Sequence, residues 1–145
     1  MARKNNRIKT YDNKKFTFNL SKPPLRGDVW FAELGRHPGG SVQGGCRPVI
    51  ILSNNMGNAF ADTVNVVPMT RHLKKPNLPC HTEISPELVA DRHQALDVSM
   101  ILAEQITTIS KYALRNYVGH IYDTQMLSAI EQSVIEQLGI TKEVR

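Results

Sequence analysis

The sequence predicts a mainly β domain of the α+β class, a small antiparallel barrel of about five to seven strands followed by helices. Three observations carry that expectation. Short runs of β-branched and aromatic residues recur between Arg26 and Ile109 and are separated by glycine, proline and polar residues. Apolar residues at helical spacing come only after Ser110. A chain of 145 residues is one domain by length and can bury a core without staples.

"RGDVWFAEL" is the first strand, with Val29 and Phe31 alternating against Trp30 and Ala32. "GRHPGGSVQGG" follows with five glycines in 11 residues, longer than a tight hairpin turn and of the kind that often carries function. "RPVIILS" is the second strand, its buried centre running from Pro48 to Leu52, and "TVNVVPMT" (Thr63 to Thr70) is the third. Pro68 places the end of that third strand at a sheet edge or bulge. "CHTEIS" and "SMILAEQITTI" supply two or three more strands. Ser110 is the expected N-cap of a short helix ending at Gly119. Asp123 caps a longer one, with Leu127, Ile130, Val134 and Leu138 on one face and Gly139 as its stop.

The formal charge of +5 is unevenly spread. Residues 1–25 hold seven basic side chains against Asp12 alone, whereas the rest of the chain is nearly balanced. We expect a basic, flexible tail over residues 1–25, joined at Lys22-Pro23-Pro24 to a folded domain over 26–145. A basic arm suits a nucleic-acid partner and equally suits a solvated leader. No stretch of about 18 apolar residues spans a membrane. The N-terminus lacks the apolar segment of a secretory signal, so the cytoplasm is the expected compartment. Cys46 and Cys80 have no CxxC spacing and read as reduced thiols. Together with His72 and His81 they fall short of zinc-ligand spacing, so no metal and no cofactor is expected.

One lead-in stands out: Gly44-Gly45-Cys46-Arg47 puts a permanent cation on a glycine hinge at the mouth of a core strand. Taken in order, "RGDVWFAEL", "QGGCRPVIILSNNMGN", "VPMT", "LPCHTEI" and "SMILAEQITTIS" resemble the MazF/PemK (Kid) toxins of bacterial type II toxin–antitoxin systems, over roughly Arg26 to Leu138. The resemblance implies an SH3-like barrel forming a homodimer. It also implies metal-independent cleavage of single-stranded RNA at short sequence motifs, restrained by a cognate antitoxin.

It further implies site residues. Arg47 falls where the family's catalytic arginine lies, and Thr70 where its catalytic threonine lies. In the chemistry implied, the ribose 2′-OH attacks the adjacent phosphate to give a 2′,3′-cyclic phosphate and a 5′-OH. A guanidinium fork matches two phosphate oxygens of the phosphorane, and a hydroxyl donates to one of them. Arginine stays protonated at neutral pH and is a poor base, so the base is unassigned. Ser41, Gln43 and Gly44 in the glycine-rich loop and Glu104-Gln105, the family's "EQ" pair, are candidates for reading RNA bases. Trp30 and Phe31 offer rings for stacking but read first as core, and His37 reads first as a solvated loop residue. The chain departs from the pattern at Val42, where an acidic residue is common, in its glycine-rich loop and in its basic tail. A catalytically silent RNA- or antitoxin-binding barrel and a gyrase poison like the related CcdB toxins are the alternatives.

Overall fold

Residues 23–37, 39–40, 42–72 and 78–141 are described by a computed structural model; Ser41 and most of the basic tail lie outside them. Seven strands form one antiparallel sheet: β1 (Asp28–Glu33), β2 (Cys46–Ile51), β3 (Thr63–Thr70), β4 (His81–Ile84), β5 (Ser99–Leu102), β6 (Thr107–Ser110) and β7 (Leu114–His120). The path runs β4-β5-β3-β2-β1-β7, with β6 pairing β3 as well. It is not closed into a ring, because β4 and β7 are its two ends. The chain beyond β4 nevertheless reaches β7: Ala90 and His120 exchange backbone hydrogen bonds of 2.8 and 2.9 Å. A helix, α2 (Thr124–Leu138), follows the last strand, as expected of a mainly β domain with a C-terminal helix.

Period-2 patterning gives the sheet two buried faces. Val29, Ile50, Val67, Met69 and Ile101 point to one face, where Met126 and Ile130 of α2 join them. Ala32, Val49, Ile51, Val64 and Val66 point to the other, with Leu114. β3 is shared. Its first half, Thr63 to Val66, pairs with β6, and its last two residues, Met69 and Thr70, pair with β5. Val67 and Pro68 have no registered partner on that side. A residue without an N–H suits such a seam. Pro68 therefore sits within a central strand rather than at the expected edge, at the place where one neighbour gives way to another.

Three further details differ from expectation. Ser110 does cap, its Oγ accepting from Tyr112 N at 3.1 Å, but the helix is one 3₁₀ turn, Lys111–Ala113. The rest of the segment is β7, whose Tyr117 and Gly119 pair with Trp30 and Val29 of β1. Pairing along the free edge of β1 outweighs a local cap. Second, "NMGNAF" forms an unexpected short helix, α1 (Asn55–Phe60), capped by Asn54 accepting from Gly57 N at 2.8 Å. Its Asn58 is fully buried and donates to Ser53 O at 2.8 Å, locking the turn into β3. Third, α2 has the expected cap, Asp123 Oδ1 accepting from Met126 N at 2.8 Å, and the expected stop at Gly139, φ 66°. Leu127, Ile130 and Val134 pack inward, but Leu138 in the last turn is 54% exposed and does not join that core.

Asp28 ties the entry of the chain to its last strand. Its carboxylate accepts from Leu25 N at 2.8 Å and from Trp30 Nε1 at 3.3 Å, and meets His120 Nδ1 at 2.6 Å. Beside it, Gly119 lies against the bridge to Ala90. A Cβ on Gly119 would stand 2.4 Å from Ala90 O and 2.8 Å from Val89 Cγ1. Gly119→Ala is therefore expected to destabilise the fold by about 1–3 kcal/mol, the usual cost of overpacking, measured as a lower urea midpoint at unchanged m-value.

Candidate active site

The register of β2 against β3 sets the site. Val49 faces Pro68, Ile50 faces Val67 and Ile51 faces Val66. The pairing stops at Val49–Pro68; beyond it Arg47 pairs with Ala32 of β1 and Thr70 with Met100 of β5, so the two lie at adjoining strand ends. Both side chains line one cleft of about 310 Å³, together with Phe31, Cys46, Arg71 and Asp97.

The two groups are presented differently. Arg47 is exposed, and its Nε donates to Gly44 O at 3.0 Å. Among the described residues the terminal nitrogens of its fork make no hydrogen bond or ion pair. Gly44 is held close: its added Cβ would lie 2.9 Å from Gly35 O, an approach only glycine permits. Gly45 N donates to Gly35 O at 2.8 Å, and Leu34 N to Gly45 O at 2.9 Å, so the hinge is pinned at its base. Thr70 is 5% exposed, and its Oγ1 accepts from His72 N at 3.2 Å. A hydroxyl that accepts keeps its own proton to donate. The cleft thus pairs a free guanidinium edge with a recessed hydroxyl, a combination suited to a tetrahedral or pentacoordinate oxyanion.

The base-reading candidates divide. Gln43 and Gln105 come together, Gln43 N donating to Gln105 Oε1 at 2.7 Å. Glu104 lies in a 3₁₀ turn, Ala103–Gln105, and turns inward, its Oε2 meeting His81 Nε2 at 2.7 Å. Ser41 lies outside the described residues. Phe31 lines the cleft, whereas Trp30 packs edge-on to Tyr117 at 5.6 Å. His37 Nε2 meets Leu34 O at 2.9 Å within its own loop.

Sequence reasoning missed Arg71 and Asp97. Arg71 follows Thr70 directly and brings a second guanidinium to the cleft, 3.5 Å from Asp97. Both side chains are more than two-thirds exposed, at 74% and 70%. Adjacency to Thr70 was the one available signal; the Asp97 contact is non-local.

Residues 25–138 match the model of the PemK-like, MazF-like toxins of type II toxin–antitoxin systems. The chain belongs to that family. Among curated relatives, the Bacillus subtilis (strain 168) endoribonuclease EndoA is 39% identical over 115 residues, covering 79% of this toxin and 94% of EndoA. Solved structures share its fold. A mycobacterial endoribonuclease in complex with its cognate antitoxin superposes with TM-score 0.64 at 24% identity, covering 83% of this toxin and 99% of that chain. MazF from Deinococcus radiodurans gives 0.62 at 18%, covering 82% and 99%. Among the described residues of the toxin, no helix is long and apolar enough to cross a membrane.

Cys46 reports on the cleft. Its surface is open, yet the walls around it remove enough water to raise its pKa above the ordinary thiol value, and Glu33 raises it further. Arg115 and Arg47 oppose the shift without cancelling it. A raised pKa keeps the protonated, unreactive form at neutral pH. Iodoacetamide is therefore expected to alkylate Cys46 more slowly than free cysteine at pH 7, with the rate still climbing above pH 9.0, followed by peptide mass spectrometry. A rate that levels off below pH 9.0 would contradict this account.

Proposed function

We propose that this endoribonuclease toxin cuts single-stranded RNA in the Arg47–Thr70 cleft, without a metal, by attack of a ribose 2′-OH on its own phosphate. The bond formed is O2′–P and the bond broken is P–O5′, leaving a 2′,3′-cyclic phosphate and a 5′-OH. The observation that supports the reading is a single cleft lined by both Arg47, whose fork is free among the described residues, and Thr70, whose hydroxyl accepts from His72 N. Arg47 balances the charge that builds on the non-bridging oxygens, and Thr70 donates to one of them. Arg71, loosely held by Asp97, adds positive potential for the neighbouring phosphates.

Base selection falls to the loop that carries Gln43 and Gly44, to Gln105 bound to it, and to Ser41. Glu104 acts from behind by fixing the turn that presents Gln105. The partners are single-stranded messenger RNA, a second copy of the chain in a homodimer, and a cognate antitoxin whose acidic segment covers the RNA groove. The mycobacterial and Deinococcus neighbours solved with their antitoxins favour that last assignment for this chain. The compartment is the cytoplasm, where messenger RNA is met. The seven basic side chains of residues 1–25 add salt-sensitive affinity for phosphates.

Incubation with a long single-stranded RNA in EDTA is expected to give discrete fragments with 5′-OH ends. A 2′-deoxyribose at the cut nucleotide abolishes cleavage and leaves binding nearly intact, because only the nucleophile is lost. Arg47→Ala keeps the fold and loses on the order of 10²–10³ in kcat, by analogy with the loss of an oxyanion-hole donor. Cleavage by Arg47→Ala at the unsubstituted rate would overturn the assignment.

A further inference from the structure

A second cluster of chemistry lies away from the cleft. Cys80, His81 and Glu104 offer one sulfur, one nitrogen and one oxygen, all within 4.8 Å of one another. None of the three lines the phosphate cleft. We propose that these three side chains form a binding site for a thiophilic divalent cation, zinc in the first instance.

The donor set suits that choice. Thiolate and imidazole together select zinc among the common divalent ions, and a carboxylate is a frequent third ligand. Around a tetrahedral zinc such donor atoms stand roughly 3.3–3.8 Å apart, given bonds of about 2.0–2.3 Å. With donor atoms within 4.8 Å of one another, the longest edge draws in by up to about 1–1.5 Å on binding. The His81–Glu104 contact of 2.7 Å opens slightly as the ion replaces the shared proton.

Backbone contacts hold the ligands in place before any ion arrives. Ala103 N donates to Cys80 O at 2.9 Å, tying the turn before β4 to the 3₁₀ turn after β5. His81 opposes Leu102 in the β4–β5 register, so the segment bearing Glu104 continues directly beside it. The cluster is also short of a partner. Glu104 Oε1 is sealed from solvent and accepts no hydrogen bond, a costly state for a carboxylate oxygen. His81 occupies Oε2, and the Cys80 thiol, its pKa raised by burial and by Glu104, is the carboxylate's other neighbouring donor, whose proton a bound cation would displace. A cation between thiolate, imidazole and carboxylate satisfies the whole group, with the fourth position open to water. Spacing hid the site, because adjacent Cys80 and His81 with a glutamate 23 residues beyond His81 match no sequence pattern for zinc.

The inference does not depend on RNA cleavage, and its test is spectroscopic. The reduced, full-length toxin is titrated with Co²⁺, which takes zinc's geometry and shows a thiolate-to-cobalt charge-transfer band. One equivalent per chain is expected to raise the band, and one equivalent of Zn²⁺ to bleach it. Cys80→Ser should abolish the band and weaken Zn²⁺ binding by about a hundredfold or more, beyond the 10–100-fold typical of losing an outer-shell partner. Glu104→Gln, nearly isosteric, should weaken binding at least about tenfold and decides the matter if Cys80→Ser does not fold. Cys46→Ser should leave the band unchanged. Absence of the band in the unsubstituted toxin, its survival in Cys80→Ser, or its loss in Cys46→Ser would overturn the site.

Discussion

The alignment of β2 with β3 is the constraint on which the molecule turns. A slip of one residue in a strand pair sends every side chain to the opposite face. Here it would drive Ile50 and Val67 out of one core layer, force Val49 and Val66 into it, and separate Arg47 from Thr70. Both faces of these strands are buried, so register and site are secured by the same apolar contacts. Stability and chemistry are thus coupled through packing rather than through a dedicated active-site framework.

β3 has to serve three neighbours, and its sequence shows how. Thr63 to Val66 engage β6, Met69 and Thr70 engage β5, and Pro68 occupies the interruption. The switch splays β5 from β6 and leaves room for the 3₁₀ turn that carries Glu104 and Gln105. Thr70 and the turn that carries Gln105 therefore flank one seam in the sheet. On the opposite side, the β1–β2 loop is pinned at Gly35 and Gly45 and returns Gln43 to Gln105.

Much of this was legible from residues alone, because it rests on local pattern. The alternation in "DVWFAE", the run "RPVII" and the Asp123 and Gly139 signals each determine their own element. Arg47 and Thr70 were singled out by the family resemblance of "QGGCRPVIILSNNMGN" and "VPMT", and the fold brings both to one cleft. The segment after Ser110 misled because its capping signal is real but spans only one turn, while the pairing with β1 that decides its fate is about 85 residues away in sequence. α1 was hidden because it is only six residues long and its anchor, the buried Asn58, is polar and gives no apolar periodicity. Arg71–Asp97 and Cys80–His81–Glu104 were illegible for a common reason: each joins segments more than 20 residues apart in sequence.

The contact between Arg71 and Asp97 has a consequence for the resting toxin. An ion pair this open to water holds its partners weakly, commonly by no more than about 1 kcal/mol. Asp97 is thus a weakly held counter-ion that lowers the positive field of Arg71 at the rim of the cleft. On the RNA-cleaving reading proposed above, a strand carrying several phosphates would displace the carboxylate at little expense, whereas a lone small anion would gain less from doing so.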